Sequence, residues 1–214
     1  DLRSLRRRQR QMCIRDRLKV SQDEDMLLIY DRQLVEHGET VHRARRELVE
    51  RLRPVVADFY RQLSGDREQV ELAYKSELND RPFAEVLLAA RERDRINEFT
   101  TSGIHRDDLQ LRIGGYPLRK YGSQGQQKSF LVALKLAQYA LVAAQRGEKP
   151  ILLLDDLFDK LDAGRVEQLI RLVAGGEFGQ ILITDCNEAR LHAILDRTGC
   201  TYTLLRVENG TVRP

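Results

Sequence analysis

Two short stretches, separated by one helical segment, constrain this chain more than anything else in it. The first is Tyr121-Gly122-Ser123-Gln124-Gly125-Gln126-Gln127-Lys128, and the second is Pro150-Ile151-Leu152-Leu153-Leu154-Asp155-Asp156. The first reads as a turn that opens a helix. The second reads as an all-apolar strand that ends in two acids. The open N–H groups of a helix N-terminus attract phosphate, and a carboxylate at the end of a buried strand can hold a water bound to Mg²⁺. The pair suits a nucleoside triphosphate and its magnesium ion.

At 214 residues the chain has room for one large domain or for one and a half small ones. A domain of that size hides roughly 70% of its unfolded surface, enough for a real core. No run of about 18 apolar residues suggests a membrane span, and no apolar stretch of a secretory signal follows the basic start. Cys13, Cys186 and Cys200 have no metal-ligand spacing, so a reduced, cytoplasmic protein is expected. The total charge of +3 is unevenly distributed. Asp1–Arg17 carries seven arginines and two aspartates, a net of +5, which leaves −2 for the rest. Met12-Cys13-Ile14-Arg15-Asp16-Arg17 is also what a common transposon sequencing adapter encodes in one frame. Residues 1–17 are therefore expected to be a non-native leader, with a genuine basic arm as the alternative.

Met26 to Leu63 has helical periodicity, with Leu34, Val41, Ala44, Leu48, Leu52, Val55 and Phe59 recurring at steps of three and four. Gly38 is read as a break, and Pro54 as a kink or a new start. Val70, Leu72 and Tyr74 alternate as in a half-buried strand. Phe83 to Phe99 is helical, with Val86, Leu87, Ala90 and Ile96 inward and the charge run Arg91 to Arg95 facing solvent. Leu109, Leu111 and Ile113 lead through Gly114-Gly115 to Tyr116 and Leu118, a β-hairpin. Beyond Gly122 the pattern changes. Helices at 124–145, 166–173 and 189–195 alternate with apolar strands at 151–154, 180–184 and 201–207, which indicates an α/β fold with a mostly parallel sheet. The expected organisation is a helical arm over residues 18–100 and an α/β lobe over 101–214.

Each candidate has a plain alternative. Ser123 and Gln126 have capping-box spacing, which needs no ligand. Gly122 and Gly125, however, let the backbone approach a bulky anion closely. Asp155 and Asp156 could be ordinary loop or cap acids, but two adjacent acids beside a core call for a cation or donors.

These residues carry a resemblance. Gly122 to Lys128 resembles the signature motif of ABC-type ATPases, Ile151 to Asp156 their Walker B strand, and Asp159-Lys160-Leu161-Asp162 their D-loop. Within that superfamily, Gly103-Ile104-His105-Arg106-Asp107-Asp108-Leu109 and the double Asp are similar to the RecF family. The chain departs from the pattern in having no Gly-x-x-x-x-Gly-Lys-Ser/Thr P-loop, so it resembles a C-terminal portion. Asp185 stands where transporters place a switch histidine. His105 is read as ordering its loop, and Arg106 as a phosphate or DNA contact that Asp107 and Asp108 could neutralise.

The resemblance implies ATP and Mg²⁺ as cofactors and an ATP-dependent homodimer of facing heads. Ser123, Gln124, Gly125 and Gly122 would meet the partner head's nucleotide. Asp155 would orient Mg²⁺ through water, Asp156 would position or deprotonate the attacking water, and Asp162 would report across the interface. It also implies binding of double-stranded DNA near gaps, RecO and RecR mediators as partners, and promotion of RecA loading. Arg43, Arg45, Arg46 and Arg51 are the candidate DNA contacts, against the alternative of a solvated helix face. The rival readings are another ABC-type head (SMC-like or transporter) and a fragment that hydrolyses nothing.

Overall fold

The computed structural model describes residues 24–155, 161–199, 201–208 and 210–213. The expected leader and the candidate base Asp156 lie outside them. The chain divides into two compact units. Residues up to Arg51 with Leu72–Gln110 make the first, and Leu52–Glu71 with Leu111–Pro214 make the second.

Glu24–Ser64 is a single 41-residue helix, α1. It passes Gly38 without the expected break, and no new helix starts at Pro54. Packing explains the glycine: a Cβ there would lie 2.2 Å from Cε1 of Phe83. Gly38 therefore admits an aromatic ring to the helix backbone instead of ending the helix. In the first unit, Phe83, Val86 and Leu87 form the core, packed by Leu34, Val35, Leu78 and Ile104. Phe83–Asn97 is α2, which follows strand β1, Val70–Lys75. Its inward stripe differs from the expected one, because Ile96 is 81% exposed while Asp94 is buried. Residues 83, 86, 87, 90 and 94 share one face at helical steps, and Ile96 lies on the other side. Burial of Asp94 is compensated by the backbone N–H of Thr101 at 2.8 Å and its hydroxyl at 2.6 Å. A charge run read as solvent-facing thus contains a buried acid that fastens the loop after α2.

Strands β2 (Asp108–Ile113) and β3 (Tyr116–Pro117) pair antiparallel, with Ile113 opposite Tyr116. Gly114 and Gly115 both have positive φ, 53° and 82°, as a tight hairpin turn requires. Leu118 does not continue the strand; it opens the short helix α3, Leu118–Tyr121.

The second unit is built on α4, Gln124–Arg146. It buries Phe130, Ala133, Leu136 and Ala137, and Phe130 meets the ring of Tyr60 at 5.9 Å. The next strand, β4 (Leu152–Asp155), is parallel to β5 (Ile181–Thr184), with Leu152 opposite Ile181 and Asp155 opposite Thr184. Tyr139 of α4 fixes where both strands begin: its hydroxyl donates to Pro150 O at 2.8 Å and accepts from Gly179 N–H at 2.9 Å. Helices α5 (Ala163–Ala174) and α6 (Glu188–Thr198) bury Val166, Leu169, Ile170, Ile194 and Leu195. The last expected strand is shorter than its apolar pattern. β6 (Arg206–Glu208) pairs antiparallel with β7 (Thr211–Arg213) in a hairpin of its own. Among the described residues, no helix is long and apolar enough to cross a membrane.

Candidate functional site

Ser123 is the N-cap of α4, and the capping box is complete. Ser123 Oγ accepts from Gln126 N–H at 3.2 Å, and Gln126 Oε1 accepts from Ser123 N–H at 2.7 Å. The plain reading of this serine is therefore present in the fold. The two glycines differ. A Cβ at Gly122 would lie 2.7 Å from both the carbonyl oxygen and Cδ1 of Leu118, whereas at Gly125 it would meet only Ser123 Oγ, at 4.0 Å. Contact with α3 accounts for Gly122. Among the described residues nothing accounts for Gly125, and glycine inside a helix costs up to about 1 kcal/mol against alanine. Ser123 and Gln124 are exposed beside it.

Gln126 also extends inward. Its Nε2 donates to Glu68 at 3.0 Å, and Glu68 accepts from the Tyr60 hydroxyl and pairs with Arg165 at 3.3 Å. Burial pushes the Glu68 carboxyl up, but the hydrogen bonds from Tyr60 and Gln126 and the Arg165 charge outweigh it and hold the group below its ordinary range. Burial, with the Glu68 carboxylate beside it, pushes the Tyr60 hydroxyl well above its usual value. Arg165 closes the network at the start of α5. Asp162 is the N-cap of α5, accepting from Arg165 N–H at 3.0 Å and pairing with its Nε at 3.3 Å. The structure thus brings Ser123, Gln126 and Asp162 into one bonded set through Glu68 and Arg165, neither of which the sequence singled out.

Asp155 ends β4, exposed, and its carboxylate accepts from the hydroxyl of Thr184 across the parallel pair. One carboxylate beside a hydroxyl oxygen is a hard donor set that fits Mg²⁺. Among the described residues, no group of three or more His, Cys, Asp or Glu could hold a metal by itself. An ion here would keep most of its ligands from water and phosphate, as magnesium does in nucleotide sites. Asp185 is committed to the turn before α6, where its carboxylate accepts from Asn187 N–H at 2.8 Å.

The Gly103–Leu109 segment lies in the first unit. A ring nitrogen of His105 is 2.9 Å from Thr100 O, in keeping with the loop-ordering reading. Asp107 does not serve Arg106. Its side chain is buried, accepts from the Tyr74 hydroxyl and pairs with Arg45 at 3.3 Å. Burial, then the Asp107 hydrogen bond, pushes the Tyr74 hydroxyl up to about 12. Arg45 also donates to Ile104 O at 2.7 Å, so it fastens this loop to α1. Arg43, Arg46 and Arg51 line one groove with Arg81, together with Glu39, Glu47 and Glu50.

No family model matches the chain. Curated relatives do. The chain is 46% identical over 190 residues to the DNA replication and repair protein RecF of Bacteroides thetaiotaomicron, covering 89% of this chain and 52% of the relative. It is 46% identical over 206 residues to RecF of Parabacteroides distasonis, covering 96% and 56%. It is a homologue of RecF. A solved structure of the recombination mediator protein RecF with ATP, in the RecFOR pathway, superposes with a TM-score of 0.70 at 28% identity, over 85% of this chain and 52% of that one. The α/β fold matches that of the superposed half of RecF, and the chain spans about half the length of the RecF relatives it matches.

Proposed function

We propose that this chain is part of a DNA repair ATPase of RecF type, in which two heads share each nucleotide. The observation that carries this reading is Gly125, a glycine in the first turn of α4 with no neighbour among the described residues to require it. A bare backbone at a helix N-terminus, beside an exposed serine, is what an approaching phosphate needs. Ser123 and Gly125 would receive the γ-phosphate held by a partner head, aided by the dipole of α4. Asp155 would hold the magnesium ion, which neutralises phosphate charge when bound. Asp156 would align the attacking water.

ATP would then act as glue for a dimer that clamps DNA at gaps and promotes RecA loading with mediators of the RecO and RecR kind. The groove of Arg43, Arg46, Arg51 and Arg81 is the proposed phosphate-contacting surface. Arg46→Gln with Arg81→Gln should weaken DNA binding and flatten its salt dependence by about two ions' worth; an unchanged slope in anisotropy titrations would remove the groove from the interface.

The test of the shared pocket uses light scattering on this chain mixed with full-length Parabacteroides distasonis RecF. A mixed particle should form with Mg-ATP and not without it. Ser123→Asp, which keeps the cap but sets a negative charge against phosphate, should abolish it. Association that ignores ATP, or survives Ser123→Asp, overturns the reading.

A further inference from the structure

We infer that Arg165 is a positioning residue for the nucleotide-facing turn, holding the start of α4 in register with the last turns of α1. The inference rests on the shared-pocket reading for its functional meaning and on the bonding pattern for its substance. The Arg165 side chain is only 18% exposed, and its guanidinium is directed at three parts of the second unit. Nη1 donates to Gly125 O at 3.3 Å and to Ser129 Oγ at 2.5 Å. Nη2 donates to Glu68 Oε1 at 3.3 Å, and Nε faces Asp162 at 3.3 Å.

Ser129 is fully buried and donates in turn to Gly125 O at 2.8 Å. The carbonyl of Gly125 is therefore gripped from two sides, on the residue whose other face is bare. Glu68 carries the link onward to Tyr60 in α1 and back to Gln126, the second member of the capping box. A shift of the Tyr60 turn moves Glu68, and Glu68 reaches the first turn of α4 by two routes, directly through Gln126 and through Arg165. A planar fork is suited to this task, since it fixes several acceptors in one geometry, which an ammonium cannot. The arrangement gives the last turns of α1 a physical connection to the amides that would meet the partner's nucleotide.

The test is amide hydrogen exchange on the 214-residue chain, with α6 as internal reference. Gln126 and Gln127 amides, both bonded to Ser123, are the reporters. Arg165→Met should accelerate their exchange about tenfold or more relative to α6, the scale of losing charged hydrogen bonds. Arg165→Lys should do nearly the same despite keeping the charge. Glu68→Gln should change it by less than about threefold, because an amide oxygen still accepts from Gln126 and Arg165. Where Arg165→Met does not fold, Ser129→Ala is read in the same way, with about threefold expected for one lost contact. Equal acceleration everywhere would mean a merely structural role, and no acceleration would mean no link; either overturns the inference. Mixed with the full-length relative and Mg-ATP, Arg165→Lys should weaken association at least about tenfold. If wild type itself fails to associate, the shared pocket falls, while the exchange data still judge Arg165.

Discussion

Gly122 and Gly125 are the same residue three positions apart, with different physical reasons for being there. At Gly122 the added carbon of alanine would press on the carbonyl oxygen of Leu118 at 2.7 Å. Gly122→Ala should therefore destabilise the chain by about 1–3 kcal/mol, the usual cost of overpacking. At Gly125 the space is open, and Gly125→Ala should stabilise the chain by a few tenths to about 1 kcal/mol. Urea unfolding checks both signs. If the bare backbone at Gly125 serves a phosphate from outside, the more stable Gly125→Ala chain should also associate less well with an ATP-loaded partner. A variant that gained stability and lost no association would make Gly125 a relic with no role. The sequence could mark both glycines as special but could not separate them, because the carbonyl that decides the matter belongs to a helix of only four residues, α3.

Among whole elements, most of the α/β pattern was legible because the apolar spacing of α4, α5 and α6 and the apolar runs of β4 and β5 are local signals. What escaped depends on contacts distant in sequence. Gly38 is a break by propensity and a ring seat in the fold, since Phe83 lies 45 positions later. Arg45 is one more arginine on a charged helix until Asp107 and Ile104 O reach it. Glu68, in the turn between α1 and β1, gives no signal until Tyr60, Gln126 and Arg165 converge on it. That convergence has a pH signature. The native Glu68 carboxyl sits below its ordinary value, so its stabilisation is complete above the unfolded value of about 4.3 and is lost as pH falls through the lowered native one. Wild type should exceed Glu68→Gln in urea stability at neutral pH, and the gap should close as pH falls from the unfolded value through the lowered native one. A gap that stays constant, or widens in acid, would mean that Glu68 is not bonded as a carboxylate.

The parallel pair at the heart of the second unit has one face that the described residues leave bare. Ile151, Leu153 and Leu182 are 59%, 67% and 48% exposed, and Leu131 of α4 is 57% exposed. Parallel strands of an α/β protein are normally covered on both faces, which is why β4 reads as a continuous apolar run instead of an alternating one. The sequence pattern thus matches a sheet with two covers, while the chain matches about half the length of its RecF relatives. The sequence also holds no P-loop motif, which the proposed shared pocket needs from elsewhere. Both observations lead to one expectation. Alone, the chain should bind Mg-ATP weakly or not at all in a calorimetric titration. Co-expressed with the part of the Parabacteroides distasonis relative that it does not match, it should form a soluble one-to-one complex. Leu153→Asp, which sets a charge on the bare face, should prevent that complex. Tight ATP binding by the chain alone would mean that it carries a phosphate cradle of its own. A complex indifferent to Leu153→Asp would mean that the apolar strand face is not where that part of the relative docks.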